Sequence, residues 1–262
     1  MSKRLKKNKA YVVWIIYYLI VFFPLIPFYL ITFLLAITTP AEGLLRKVFG
    51  IRPLRLKSEK ERLQPIFDEV YGEVTKKIPR FSKNIKLYIS EDIDVNAFAF
   101  GNSTLVLTKG SIELLSDECL KGFIAHEFGH FAHGDARVSL FISVFNLPML
   151  LIMKYLTGIK ESLDKPARNS IITVMFKTAF DFVYYLFKGI EFIGDLIINH
   201  AKRKSEYDAD SIAVKFGFAE ELAEVLNQVY QVSFKNPGTI KEQLKSTHPP
   251  LTTRIERVEK YI

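Results

Sequence analysis

The sequence predicts an α+β fold that is mainly helical, with a small antiparallel sheet and transmembrane helices. Apolar residues recur at helical spacing in several stretches, for example over 63–70. Apolar and polar residues alternate over 85–89, as they do in a half-buried strand. Residues 11–37 carry no charge, and this run is long enough for one membrane crossing, which takes ~20 residues.

The composition is rich in apolar residues, and they are concentrated in blocks. Of the 262 residues 49% are hydrophobic, and the mean hydropathy is +0.13. The formal net charge is +8, and basic residues flank the first apolar run on both sides, which favours anionic lipid head groups and the cytoplasmic face. No recognition motif for nucleic acid accompanies this charge, so we expect no nucleic-acid partner. Cys119 is the only cysteine, which excludes an internal disulfide and a cysteine-ligated zinc site.

The first apolar run leaves two arrangements open. Pro24 and Pro27 interrupt it, so it forms either one kinked span or the bend of a hairpin that continues through Phe49. A hairpin would keep both basic flanks on the cytoplasmic side. The run is too long for the apolar core of a cleaved signal peptide. We therefore expect residues 1–50 to form a basic amino terminus and a membrane anchor.

The predicted sheet lies after a linker and one amphipathic helix. Residues 95–100 and 104–107 form a hairpin around a turn at Gly101-Asn102. The first strand of this hairpin is expected to be an open edge, where an extended peptide can add as a further strand. Asp117 is the expected N-cap of a helix that continues through Ala132, and Gly134 is its expected C-cap.

Two further apolar stretches follow this helix. Residues 138–159 hold a single charged residue, and we expect them to span the membrane. In the second stretch, 171–199, charged residues fall on one face of a helix: Lys177, Asp181, Lys188, Glu191 and Asp195. This helix either crosses the bilayer with its polar stripe toward a partner helix, or is a long amphipathic helix of a soluble domain. Separate helices are predicted over 202–217 and 220–232, and a last one from 251.

One motif, His126-Glu127-Phe128-Gly129-His130, indicates the chemistry. Residues four apart lie on the same face of a helix, so both imidazoles can reach one metal ion with the Glu127 carboxylate beside them. A catalytic zinc keeps one position for water, lowers the pKa of that water, and leaves its proton to a nearby carboxylate. The pattern therefore indicates metal-assisted peptide hydrolysis. The bare pattern also arises by chance, so a third ligand is required.

A third ligand has to come from elsewhere in the chain. A continuation His-x-x-Gly-x-x-His is excluded, because His133 stands in the glycine position and Ala136 in the place of the last histidine. Glu206, on a separate helix, can supply the ligand, and Asp210 lies four residues later on the same face. Asp210 would accept a hydrogen bond from the far nitrogen of a ligating histidine. The alternative is a solvated acidic face that pairs with the basic residues 202–204.

In chain order, four motifs resemble those of the HtpX-type membrane-bound zinc metalloproteases. They are Asn96-Ala97-Phe98-Ala99, the histidine motif, Ser205-Glu206-Tyr207-Asp208-Ala209-Asp210, and Thr247-His248-Pro249-Pro250 followed by Arg254-Ile255. The long apolar insertion between the second and third motifs is also a feature of the HtpX type. The CAAX prenyl endopeptidases share the same catalytic module. The resemblance covers nearly the whole chain and implies a gluzincin-type zinc metallopeptidase domain.

The resemblance also implies a role for each matching residue. One Zn²⁺ per chain would be held by His126, His130 and Glu206, with Glu127 as the general base. The other implied roles belong to Asp210, which orients a ligating histidine, to His248, which stabilises the oxyanion, and to Asn96, Ala97 and Phe98, which line the substrate strand. The chain departs from the family at Ser205, where a basic residue commonly precedes the glutamate.

Four segments follow from this resemblance. The anchor occupies 1–50, the first half of the catalytic domain 51–137, an inserted membrane hairpin 138–198, and the second half of the catalytic domain 199–262. The expected location is the inner cell membrane, crossed more than once, with the catalytic domain on the cytoplasmic face. The expected partners are the lipid bilayer and protein or peptide substrates, membrane proteins above all.

The expected function is a membrane-anchored zinc endopeptidase that acts in membrane-protein quality control. One alternative is a CAAX-type prenyl-protein endopeptidase, but that branch resembles a large chamber of many helices, and this chain has only two to four apolar spans. A second alternative is a non-catalytic membrane scaffold with a residual metal site. It predicts a missing base or ligand, whereas Glu127 and Glu206 are both present.

Overall fold

The computed structural model describes residues 40–78, 81, 84–164, 171–235 and 249–262, together with scattered residues between 12 and 34. The predicted amino-terminal span or hairpin lies largely outside these described residues. His248, the expected oxyanion residue, lies outside them as well.

The described secondary structure begins with a helix and continues into a small sheet. The elements are α1 (Pro40–Val48), β1 (Arg52–Pro53), α2 (Lys57–Lys77), β2 (Lys86–Ser90), β3 (Ala97–Phe100) and β4 (Thr104–Thr108). Helices make up the rest: α3 (Lys109–Leu114), α4 (Asp117–His133), α5 (Asp135–Phe145), α6 (Leu147–Leu163), α7 (Ile171–Phe216), α8 (Ala219–Lys235) and α9 (Leu251–Val258), with a final 3₁₀ turn at Glu259–Tyr261. The fold is thus mainly helical, as predicted.

The sheet is mixed, so the prediction of an antiparallel sheet is wrong. Its strand order is β1-β2-β4-β3. The predicted hairpin is present, because β3 pairs with β4 antiparallel, with Phe100 opposite Thr104. The chain, however, crosses from β2 to the outer edge before it forms β3, and the return strand β4 enters beside β2. This path makes β2 and β4 parallel, with Leu87 opposite Leu105.

Strand β4 lies between two of the hydrophobic clusters of the described residues. All five of its residues are buried, as expected for a strand covered on both faces. Leu105 and Leu107 point into the larger cluster, together with apolar residues of α2, α4 and α8. Val106 points to the opposite face, where Leu45 of α1 and Leu140 of α5 cover it. The period of two therefore fixes which helices each face of the sheet receives.

Helix α4 lies at the centre of the larger cluster. Ser116 caps its start, and not Asp117 as predicted, since the Ser116 hydroxyl accepts a hydrogen bond from the Cys119 N–H at 3.2 Å. Gly134 ends it with φ = 85°, a left-handed conformation that favours glycine, and the predicted C-cap is confirmed. Gly129 lets α7 approach closely, because a Cβ at this position would lie 2.7 Å from the carbonyl oxygen of Ala209.

Helix α7 is one continuous helix of 46 residues, although the sequence predicts two separate helices over 171–199 and 202–217. Near residue 202 the sequence changes from apolar to basic, but the helix continues through this point. No proline and no glycine lies there, so nothing interrupts the backbone hydrogen bonds. Charged residues of the amino-terminal half contact α6, where Lys160 Nζ lies 2.7 Å from Asp181 Oδ1.

Among the described residues, no single helix has both the length and the apolar composition of a membrane span. One pair of helical segments, Asp135–Val144 and Pro148–Leu163, meets these criteria together, with a bend of 45° at the break between them.

Candidate metal centre

Helix α4 presents His126 and His130 one turn apart on the face that meets α7. Their ring centroids are 4.8 Å apart, and the two rings are nearly perpendicular. Glu206 of α7 faces both of them. Its Oε2 lies 3.4 Å from His126 Nε2, and its Oε1 lies 3.4 Å from His130 Nε2. One ligand atom from each of the three side chains lies within 4.8 Å of the others, so together they could hold a metal ion.

Two carboxylates fix the orientation of the imidazoles. His126 Nδ1 lies 2.9 Å from Asp210 Oδ1, and His130 Nδ1 lies 3.5 Å from Asp135 Oδ2. These contacts favour a proton on each Nδ1, which leaves the two Nε2 atoms on the Glu206 side as the atoms that would bind a metal. The structure thus leaves three donor atoms facing one another.

The electrostatics of this centre favour a cation. Burial by itself lowers the pKa of both imidazoles, but the neighbouring carboxylates outweigh it. Asp210 and Glu206 raise the pKa of His126, and Asp135 and Glu206 raise the pKa of His130. The buried charged side chains here are four carboxylates and one guanidinium, which leaves a formal charge of −3 among the described residues: Glu127, Asp135, Glu206, Asp210 and Arg254. A divalent cation bound by imidazole nitrogen and carboxylate oxygen fits this donor set, and zinc is typical of it.

Arg254 of α9 contacts two carboxylates of the centre, those of Asp210 and Glu206. Its Nε and Nη2 donate to Asp210 at 2.9 and 2.7 Å, and its Nη1 lies 3.2 Å from Glu206 Oε2. Burial alone would raise the pKa of Asp210, but Arg254 and His126 bring it down to about 2. Asp210 therefore stays ionised while it accepts from His126.

A second small network surrounds Asp135 at the start of α5. The Ser205 hydroxyl donates to Asp135 Oδ2 in a very short hydrogen bond. His133 Nδ1 lies 3.3 Å from the same oxygen. Ser205 occupies the position where a basic residue is common in the family, and here it hydrogen-bonds the carboxylate that orients His130.

An open cleft of about 190 Å³ runs beside the centre. Residues of β3 and the residue before it line this cleft together with residues of α4, α5 and α7. The lining residues are Asn96, Ala97, Phe98, Ala99, Glu127, His130, Asp135, Ser139, Lys202, Ser205 and Glu206. Because β3 is the outermost strand of the described sheet, the cleft runs along a sheet edge.

The structure brings together most of the predicted site residues. His126, His130, Glu206 and Asp210 meet at one centre, Glu127 opens onto the cleft, and the three predicted substrate residues line it: Asn96, Ala97 and Phe98. His248 lies outside the described residues.

Arg254 is a site residue to which the sequence assigned no role. A signal was present, since Leu251, Arg254, Ile255 and Val258 follow one another at helical spacing. An arginine within such an apolar stripe is buried, and a buried arginine needs an acidic partner.

The class of protein follows from this geometry. Two histidines one turn apart on a central helix, a glutamate from a second helix, and a cleft along a sheet edge define a helical metallopeptidase of the His-Glu-x-x-His type. A scan against protein-family models agrees: residues 57–262 match Peptidase family M48, and the chain belongs to this family.

Individual relatives are similar at modest identity. A "Protease HtpX homolog" from Bacteroides fragilis is 26% identical and covers 88% of this chain and 78% of its own length. A "CAAX prenyl protease 1 homolog" from Dictyostelium discoideum is also 26% identical, over 76% of this chain and 51% of its own length. Among solved structures, S. mikatae Ste24p aligns with 95% of this chain and 66% of its own, at 16% identity and a TM-score of 0.49. The chain is thus an M48 peptidase that resembles the HtpX type.

Proposed function

We propose that this protein is a membrane-anchored zinc metalloendopeptidase that hydrolyses internal peptide bonds of protein substrates. One observation carries the proposal. The Nε2 atoms of His126 and His130 and the carboxylate of Glu206 converge on one point, and Glu127 opens onto the cleft beside it. This arrangement supports His126, His130 and Glu206 as the ligands of one Zn²⁺.

The division of labour among the side chains follows from their positions. Zinc, when bound, activates a water molecule and polarises the substrate carbonyl. Glu127 takes the proton of the attacking water and passes it to the leaving amine. Asp210 and Asp135 hold the two imidazoles in their orientations, and Arg254 keeps Asp210 ionised. The family motif assigns the oxyanion to His248.

The sheet edge suggests how a substrate is held. An extended peptide can pair with the free side of β3 and so add a further strand to the sheet. Ala97 and Ala99 are small and buried, whereas Phe98 is half-buried. Backbone hydrogen bonds would then supply most of the binding, and side chains would set the preference. Asn96, Ala97 and Phe98 are the proposed substrate-contacting residues.

Exposed apolar surface supports the membrane anchor. Large apolar side chains lie exposed on α6 and on the first half of α7, among them Leu150, Leu151, Tyr155, Ile171, Ile172, Val174, Met175, Phe176, Phe182 and Leu186. Patches of this kind mark contact with lipid or with another protein. Together with the uncharged run 11–37 and its basic flanks, they favour the inner cell membrane, with the catalytic domain on the cytoplasmic face. Damaged membrane proteins are the substrates that such a position makes accessible.

A CAAX-type activity is a weaker candidate. The Dictyostelium protein named for that activity is about as similar to this chain as the HtpX homologue, but the chain matches only 51% of its length. A non-catalytic scaffold is disfavoured because the base and the three donor side chains are all in place.

Casein hydrolysis by the full-length protein in detergent tests the proposal. We expect zinc-dependent cleavage that a chelator abolishes and that added zinc restores. Glu127→Gln should lower kcat at least 100-fold while one zinc per chain remains, as measured by elemental analysis. His130→Ala should lose both the metal and the activity.

Glu118→Gln is the matched control, since Glu118 lies exposed on the same helix and pairs with Lys121 at its surface. It should cleave casein like the wild type. Cleavage that survives both chelation and Glu127→Gln would refute the zinc-peptidase proposal.

A further inference from the structure

Lys202 is a cation placed within the cleft. It lies four residues before Glu206 on α7, so both side chains share one face of the helix. Among the described residues that line the cleft, it is the only lysine or arginine. Arg254, which contacts Glu206, is buried and does not line the cleft. Residues of β3 line the same cleft. A peptide that pairs with β3 inside the cleft would therefore pass near the Lys202 ammonium group.

Among the described residues, no carboxylate forms an ion pair with this ammonium group. Lys202 is half-buried, and within the described part of the chain it makes no hydrogen bond and no ion pair. Burial lowers its pKa, although Glu206 and Asp195 act on it in the opposite direction from a distance. A lysine on an ordinary surface extends into water instead. A ligand that brings an anion into the cleft would supply the missing partner.

We propose that Lys202 binds a carboxylate of the substrate peptide and so makes the enzyme prefer acidic sequences near the cleavage site. This proposal rests on the proposed peptidase function. The carboxylate can belong to a Glu or Asp side chain, or to the carboxyl terminus of the peptide. A lipid phosphate is the competing occupant, since Lys202 follows the apolar half of α7. The cleft favours the peptide, because Lys202 lines it together with β3, His130 and Glu206.

Peptide binding tests Lys202 separately from catalysis. The full-length Glu127→Gln protein, loaded with zinc in detergent, is titrated with fluorescein-labelled nonapeptides of Ala and Ser. The peptides carry Glu, Gln or Lys at each position in turn, and each is made as a free acid and as an amide. We expect Glu at one or two positions to bind roughly tenfold more tightly than Gln, as a charge-assisted hydrogen bond would give. If the free acid binds more tightly than the amide instead, the terminal carboxylate is the partner.

Three substitutions in this background assign the preference. Lys202→Gln should remove the difference between Glu and Gln peptides, and Lys202→Glu should reverse it in favour of Lys peptides. Lys215→Gln should retain it, because Lys215 lies exposed on the same helix away from the cleft. An equal preference in all four proteins, or no preference in any of them, overturns the proposal.

Hydrolysis and vesicle binding complete the design. In the Glu127-containing enzyme, the ratio of kcat/KM for the Glu and Gln peptides should fall to about one in Lys202→Gln. If no peptide is cleaved but the binding preference depends on Lys202, the peptidase function fails and the carboxylate site stands. If Lys202→Gln weakens sedimentation with phosphatidylglycerol vesicles and leaves peptide preference unchanged, the occupant is lipid and the proposal fails.

Discussion

Arg254 binds Asp210 through two parallel hydrogen bonds of 2.9 and 2.7 Å, and Asp210 in turn holds His126 Nδ1 at 2.9 Å. The guanidinium also reaches Glu206 at 3.2 Å. All of these groups are buried. A bidentate pair of this kind fixes both the geometry and the charge of the carboxylate. Through Arg254, helix α9 is therefore attached to the candidate metal centre.

Replacing Arg254 by Met should destabilise the protein strongly. The substitution keeps much of the side-chain volume but leaves two buried carboxylates without their cation. Breaking a buried pair in this way costs about 3–5 kcal/mol. The free energy of unfolding, measured by denaturant in detergent with and without zinc, gives the size of the loss.

Arg257→Gln serves as the comparison for Arg254→Met. Arg257 is exposed and lies on the same helix as Arg254. Its Cζ lies 4.3 Å from the centroid of the Tyr207 ring on α7. Losing that contact costs about 0.5–1 kcal/mol. If the two substitutions lowered the free energy of unfolding equally, the buried pair of Arg254 and Asp210 would contribute no more to stability than the exposed contact of Arg257.

Asp210→Asn should weaken zinc binding by about 10- to 100-fold, the usual effect of losing a group that orients a metal ligand. The amide can still accept from His126, but it carries no charge, and its NH₂ group faces the Arg254 guanidinium when its oxygen faces the histidine. Competition with a zinc-binding dye measures the affinity. Asp208→Asn is the matched control, since its side chain is 40% exposed on the same helix and lies 3.9 Å from His133. An unchanged affinity in Asp210→Asn would show that the imidazole is oriented by other groups.

The sequence is informative about this centre where the determinants are local. His126, His130, Glu206 and Asp210 were predicted because their spacing of four residues fixes which side chains share a helical face. The hairpin of β3 and β4 was also predicted from a local signal, because a short turn between two alternating segments determines antiparallel pairing.

What the sequence could not supply depends on long-range packing. Arg254 lies 44 residues from Asp210 in the chain, and only the docking of α9 against α7 brings the two together. The parallel pairing of β2 with β4 depends on where the chain crosses the sheet, which no local pattern specifies. The continuity of α7 was missed because a change from apolar to basic residues was interpreted as an end of the helix, although no residue there breaks the backbone pattern.

Gly129→Ala should push α4 away from α7. The new Cβ would lie 2.7 Å from the Ala209 carbonyl oxygen and 2.9 Å from its Cα, and neither backbone atom can turn aside. We expect a loss of about 1–3 kcal/mol in the free energy of unfolding, the usual cost of overpacking. Zinc affinity should fall as well, because the same displacement separates Glu206 from the histidines of α4.

Gly72→Ala provides the control for Gly129→Ala. Gly72 lies in α2, and a Cβ there meets nothing within 4 Å. Alanine should therefore stabilise the protein by about 0.5–1 kcal/mol, because it restricts the unfolded chain and favours the helix. If Gly129→Ala were equally well tolerated, the helices would not need the close approach that the structure shows.

Glu59 makes the stability of the protein depend on pH. Its carboxylate accepts two hydrogen bonds from Arg52 at 2.7 and 3.0 Å, and two more from the backbone N–H groups of Arg55 and Leu56. Arg52 foremost lowers the pKa of Glu59 from 4.5 to about 2. A carboxyl whose pKa is lower in the folded state stabilises the protein above its unfolded pKa. This contribution is lost as the pH falls from about 5 toward 2.

Glu59→Gln should therefore lower the free energy of unfolding on the order of 2 kcal/mol at pH 7 and flatten its decline between about pH 5 and 2. The difference between wild type and variant should shrink with acidification, because the wild-type carboxylate becomes protonated and resembles the amide. Urea unfolding of both proteins across this range measures it. Glu61→Gln should change little, since Glu61 is 65% exposed and its carboxylate makes a surface ion pair with Lys57 at 3.5 Å. A difference that stayed constant with pH would assign the effect of Glu59 to packing and not to its charge.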